Sequence, residues 1–367
     1  MPKGEYNGDK TMMYMIGLAV VLALFGFLPE QYGLRQKNYK GYIAICGILI
    51  ALIMGLRTQY TGSGDSIAYC TKFDQLRRYS NFGDYFDKHL ESSDFLFSET
   101  GFYFLTWLLG RIFDDSQVFL FVTSAFTTWA VCRFVSKNSA NASISLIIYV
   151  CLGLFTFNMN GIRQALAMSV CLFSYEYVKK RKLLPFILLI LVAMQFHKTA
   201  ICFVPMYILP SMKFSKGNLL IYICGVMVFL LFLDNLILAY NDWSSKEYDS
   251  TDSASSGGLI VVLIYLFALV IALMQPDLVR EQQTGMVCFA VIAGLAAYVA
   301  RYFSNQMMER ISFYYFYFVT LLIPASIERM GARESKMLRW VFIIGAIALF
   351  GYRTYTGQFR DFRFYFS

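Results

Sequence analysis

The chain has 367 residues, 57% hydrophobic and only 15% charged, with a mean hydropathy of +0.52 and a net charge of +8. Soluble domains carry about 25% charged residues, so a soluble globular protein is excluded. The composition predicts an all-α polytopic bundle in a lipid bilayer, one transmembrane domain over residues 1–367.

In chain order, the apolar stretches predict about twelve transmembrane helices: 12–29, 42–56, 117–135, 143–159, 162–178, 183–196, 199–212, 218–239, 258–275, 285–300, 311–327 and 338–352. The first of these lacks a small-residue cleavage pattern and reads as a span rather than a signal peptide. The stretch 97–113 is apolar but short, and Glu99 and Arg111 interrupt its ends. It reads as a juxtamembrane helix on the outer face, inside a long external loop over 57–116. A second external loop, polar and solvated, covers 240–257.

Lys and Arg in short loops set the orientation. Lys179-Lys180-Arg181-Lys182 is the densest basic run and marks the cytoplasmic side. Lys213/Lys216, Arg280, the Arg329–Arg339 loop, Arg133/Lys137 and Arg35/Lys37/Lys40 then fall on that side, and both chain ends lie outside. The scattered basic residues argue against nucleic acid as a partner. The eight cysteines hold no CxxC pair, and seven lie in or beside apolar segments, so neither a zinc site nor a disulfide framework is expected.

With that orientation the notable polar clusters share the external face. The first is the loop Arg57-Thr58-Gln59-Tyr60-Thr61-Gly62-Ser63-Gly64-Asp65, with Tyr69 and Phe73 following at helical spacing. Asp65 there has three readings: the N-cap of a helix, a general base for a hydroxyl, or part of a glycine nest for phosphate. The second is Asn160-Gly161-Ile162-Arg163-Gln164. Arg163 opens a helix whose dipole disfavours cations, so it needs an anion, either a protein carboxylate or a ligand phosphate. The third is His197-Lys198, where the imidazole is either a hydrogen-bonded structural group or an acid–base catalyst. His89 reads as a solvated surface group. The last comprises Arg301, Glu309 and Arg310 at the lip of a span. The tail arginines Arg353, Arg360 and Arg363, interleaved with rings, read as interfacial anchors.

The order Arg57…Gly62-x-Gly64-Asp65-x3-Tyr69-x3-Phe73, then Glu99-x2-Phe102, Asn160-x2-Arg163-Gln164-x-Leu166-Ala167 and His197-Lys198-Thr199-Ala200 resembles the EpsG-type family, Wzy-like polymerases of bacterial exopolysaccharide, capsule or O-antigen. The motif likeness covers most of residues 40–210; beyond 215 it is mainly hydropathy and external arginines. It implies a GT-C-like fold in the bacterial inner membrane, with the active site on the periplasmic face. It also implies an undecaprenyl-pyrophosphate-linked oligosaccharide as substrate, a chain-length regulator as a further partner, and no metal or other cofactor.

On that reading an acceptor hydroxyl attacks the anomeric carbon of the donor glycan and undecaprenyl pyrophosphate leaves. Asp65 is the expected base and His197 the second choice. Arg163 heads the expected diphosphate ligands, followed by Arg301 and Arg310, then Arg57. Asn160, Gln164 and Tyr69 line the site, and Glu309 either binds substrate or orients an arginine. The competing functions are an O-antigen ligase, another lipid-linked-sugar glycosyltransferase and, from a different class, a flippase or transporter. Transporters place ionisable residues near the midplane at broken helices with repeat symmetry; the sequence shows neither feature.

Overall fold

The computed structural model describes residues 8–31, 39–62, 64–89, 99–232, 235, 258–302, 306–360 and 362–366. The polar loop 240–257, Ser63, residues 90–98 of the long first loop and the last residues of the predicted span 218–239 lie outside them. Among the described residues the architecture is all-helical, apart from one antiparallel bridge between Arg57 and Phe364.

The helices are α1 (Gly8–Gln31), α2 (Tyr39–Gly55), α3 (Asp65–Leu76), α4 (Phe82–His89), α5 (Thr100–Ile112), α6 (Ser116–Asn138), α7 (Ala142–Cys151), α8 (Leu154–Asn160), α9 (Ile162–Lys179) and α10 (Leu183–Met194). A 3-10 helix, Lys198–Tyr207, follows. Then come α11 (Lys216–Leu231), α12 (Leu259–Leu273), α13 (Pro276–Arg280), α14 (Gln282–Ala300), α15 (Gln306–Phe316), α16 (Val319–Arg329) and α17 (Ala332–Thr356).

The centre is α7, all ten of whose residues are buried. A helix apolar all round has to be enclosed by protein or lipid, and here helices enclose it. Its start is fixed by Asn141, whose side chain accepts the Ile144 amide at 3.1 Å. In α6 the same capping role falls to Asp115, which accepts the Gln117 amide at 2.8 Å.

Among the described residues three helices are long and apolar enough to cross a membrane: α6, α14 and α17. Counting two bent pairs as one span each gives five. The predicted span 143–159 is one such pair: α7 and α8 meet at 51°. The predicted span 311–327 is the other, α15 and α16 bending by 41°. The predicted span 199–212 is not α-helical at all but mostly a ten-residue 3-10 helix with Pro205 inside it; at about 2 Å per residue it falls short of a bilayer core of about 30 Å. These breaks left no trace in hydropathy, which counts apolar residues and is blind to backbone direction. The chain is a helical membrane protein.

The two bends lean on each other. Phe157 in α8 stacks on Phe313 in α15, ring centroids 4.1 Å apart. Asn158 donates to the hydroxyls of Tyr149 at 3.0 Å and Tyr317 at 2.8 Å, which ties α7, α8 and the α15–α16 joint together. A smaller apolar cluster of Cys70, Phe73, Phe102, Leu109, Phe119, Leu120, Ile162 and Leu166 packs α3 and α5 against α6 and α9. It fixes the first loop to the bundle.

Candidate functional site

The first loop is stapled from beneath by Arg57, which is completely buried. Its guanidinium donates to the Met54 carbonyl, to Ser124 Oγ at 3.2 Å and to the Met159 carbonyl at 2.7 Å. Burial lowers its pKa to about 10, so it stays charged at neutral pH. Those contacts make Arg57 a brace between α2, α6 and α8. The tail lies along the same loop: Thr58 N–H donates to the Arg363 carbonyl at 2.9 Å and Tyr365 N–H to the Leu56 carbonyl at 2.8 Å.

The loop then climbs over α8. Gly62 has φ +86°, and a Cβ there would meet Asn160 Oδ1 at 2.4 Å, so glycine is required both by conformation and by the close approach. The expected N-cap role of Asp65 is not what the structure has. Gly64 is the N-cap residue and makes no side-chain cap bond; Asp65 is the first residue of α3 and is exposed. Its carboxylate stands in the first turn, where the helix dipole favours an anion.

One turn along α3, Tyr69 lies beside Arg163. Arg163 binds Glu99 Oε2 at 2.5 Å and faces the ring of Phe102 at 5.9 Å. The anion that Arg163 requires is thus a protein carboxylate. Glu99 is 4% exposed and holds a left-handed backbone, φ +55°, uncommon for a residue with a side chain. Its other oxygen accepts His197 Nδ1–H at 2.7 Å and the Lys198 amide at 3.3 Å. With Nδ1 as donor, Nε2 of His197 carries the lone pair. That atom is buried and has no partner among the described residues. Burial is the main influence on the imidazole and lowers its pKa below 6.5, against the opposing pull of Glu99.

On the other side of α9, Gln164 donates to the Arg310 carbonyl at 2.6 Å, and so joins α9 to α15. The neighbouring Glu309 takes Arg301 Nη1 at 2.7 Å. Arg301 is buried, donates to Tyr298 Oη at 2.8 Å and lies over the rings of Tyr298 and Tyr302. A cavity of about 730 Å³ opens here, lined by Arg301, Glu309, Tyr298, Asn160, Arg353 and Gln358 among others. Asn160 donates to Gln358 across it at 3.3 Å.

Gly62 passes close over Asn160, Gln164 two residues beyond the Ile162 start of α9 is bonded to Arg310, and the Glu99–Arg163–His197 cluster adjoins them through α9. Two participants escaped the sequence reading. Glu99, which in sequence interrupts an apolar run and belongs to the family-like Glu99-x2-Phe102, carries no site role there, although an ionisable group at such a position is a signal in itself. Arg353 was grouped with the tail anchors, but its head lines the cavity. Arg360, by contrast, is exposed over the ring of Tyr355. Among the described residues no group of three or more His, Cys, Asp or Glu could hold a metal ion.

A bundle of apolar helices with arginines, carboxylates and one histidine gathered at broken helix ends defines a membrane protein with a polar site. The family model described as the EpsG family matches residues 40–365, and the chain belongs to that family. The match runs well past residue 215, so the C-terminal arginines fall within it. The family points to a polysaccharide-biosynthesis polymerase, generally glycosyltransferase-like. No curated protein and no solved structure matches the chain.

Proposed function

We propose that the protein is a bacterial inner-membrane glycan polymerase that joins undecaprenyl-pyrophosphate-linked oligosaccharide repeat units on the external face. The bundle would be GT-C-like with about twelve passes, some of them short or bent. The acceptor hydroxyl oxygen forms a bond to the donor's anomeric carbon as the bond from that carbon to the diphosphate oxygen breaks. The electron pair leaves with undecaprenyl pyrophosphate, and the hydroxyl proton passes to a base.

Asp65 is the proposed base, because it is an exposed carboxylate one turn before Tyr69, which lies beside Arg163, and it follows the loop that passes Asn160 at Gly62. His197 is the second choice: its Nε2 can accept a proton, but only if the site opens to reach it. Arginines stabilise the departing diphosphate in place of a metal, drawn from Arg163, Arg301 and Arg310. Arg57 acts by bracing the loop. The observation that carries the reading is the meeting of cations, carboxylates and an imidazole with an unpartnered nitrogen in one connected region of a family member.

The test is substitution in a strain lacking its own copy, with polymer length read on gels. Asp65→Asn is expected to abolish long-chain polymer with normal protein level in the membrane. Normal polymer from Asp65→Asn would remove Asp65 as base, and normal polymer from Asp65→Asn, His197→Ala and Arg163→Ala alike would overturn the site. One observation favours the transporter reading: the two bent helix pairs. On that reading Asp65→Asn would block export of single repeat units rather than their joining.

A further inference from the structure

The two charged clusters differ in balance. In the first, Arg163 is matched by Glu99, whose other oxygen accepts from His197. In the second, the single carboxylate of Glu309 feels three guanidiniums, Arg301, Arg310 and Arg353. Glu309 bonds only the first of these at ion-pair distance. Among the described residues Arg353 reaches just the Leu152 carbonyl, 3.4 Å from Nη1, and no described carboxylate lies within ion-pair distance of it or of Arg310.

Placing Arg353 there takes special backbone. Leu152 ends α7, and Gly153 turns the chain into α8 with φ +115°. A Cβ on Gly153 would sit 3.1 Å from Arg353 Nη1. The bend is thus shaped around a cation that has no carboxylate at ion-pair distance among the described residues. Half-buried cations in apolar surroundings are costly unless paired. Among the described residues the cluster is two positive charges in excess, and the cavity beside it has room for a ligand.

We propose that the cavity between Arg301 and Arg353 is a phosphate-binding site for a doubly charged group such as a diphosphate ester. The entering phosphate displaces the Glu309 carboxylate from Arg301 and is clamped from the opposite wall by Arg353. Guanidinium suits this task because its fork matches phosphate oxygens in pairs. The assignment rests on the polymerase reading for the identity of the ester, and it moves the diphosphate away from Arg163, whose charge Glu99 already satisfies.

The experiment is titration of the purified, detergent-solubilised full chain with inorganic pyrophosphate at low salt, followed calorimetrically. Wild type is expected to bind. Arg353→Ala should bind about ten- to a hundred-fold more weakly, the loss typical of a hydrogen bond to a charged group. Arg353→Lys should fall between the two. Glu309→Gln should bind more tightly, since the competing carboxylate is gone, and the exposed Arg360→Ala should match wild type. Pyrophosphate binding that is absent in wild type, or unchanged in Arg353→Ala, overturns the site. Weaker binding in Glu309→Gln overturns the displacement. If the binding pattern holds while the wild-type gene restores no polymer to a deleted strain, the phosphate site stands and the polymerase reading falls.

Discussion

Glu99 serves two neighbours at once, and each needs it for a different reason. Arg163 needs its charge, and His197 needs an acceptor that fixes the tautomer. Removing the carboxylate strands a cation in apolar surroundings. Glu99→Ala should therefore destabilise the protein by about 3 kcal/mol, the low end for a broken buried pair, because Arg163 keeps 26% of its side chain exposed. Glu99→Gly separates the side chain from the backbone: it relieves the left-handed φ yet should lose as much polymerisation as Glu99→Ala. Polymer yield in Glu99→Gly equal to wild type would show that only the backbone matters.

His197 gives a pH signature. Its folded pKa lies below the usual 6.5 because burial disfavours the charged ring. Below pH 6.5 the unfolded chain takes up a proton that the folded chain refuses, so stability falls as pH drops through that range. Thermal melts between pH 7.5 and about 5.5 should show this fall in wild type and less of it in His197→Gln. The sequence marked His197 and Arg163 as needing partners but could not say which ones, since Glu99 lies far from both along the chain and only the fold brings it to them.

At the scale of elements, the breaks carry the site. Gly153 bends α7 into α8 and leaves the Leu152 carbonyl facing Arg353. Alanine in that left-handed position costs about 1–2 kcal/mol and would also press on the guanidinium. Gly153→Ala should reduce both membrane abundance and polymer yield. Gly345→Ala, in α17 with nothing within 4 Å of the new Cβ, should leave both unchanged. An equal effect of the two substitutions would mean that the bend has no special part. Hydropathy placed the apolar segments around α6, α14 and α17 well, because a long apolar helix is recorded in composition alone. It ran α7 into α8 and α15 into α16, because a bend between two apolar segments changes no residue's hydrophobicity.

At the scale of the molecule, loop charge predicts that the first loop faces outward and the Lys179–Lys182 run inward. Both Tyr60 and Lys180 are exposed, and they test this directly. In a Cys224→Ser background, which removes the exposed native thiol, Tyr60→Cys should react with a membrane-impermeant maleimide in cells with permeable outer layers and intact inner membranes. Lys180→Cys should react only after lysis. The reverse pattern would put the site on the cytoplasmic side and sink the external polymerase.

The sequence by itself determined the class: an apolar, weakly charged chain has to be a helical membrane protein, because surplus apolar surface needs lipid and backbone in lipid must bond to itself. It also named most of the polar residues, since ionisable groups among apolar ones stand out, and their order carried the family. Only the tertiary structure decided what those groups touch. Arg57 became a brace, Asp65 moved from cap to open first turn, Arg163 found Glu99, and Arg353 left the tail anchors for the cavity. Each of those outcomes depends on contacts between segments distant in sequence, and local composition holds no record of such contacts.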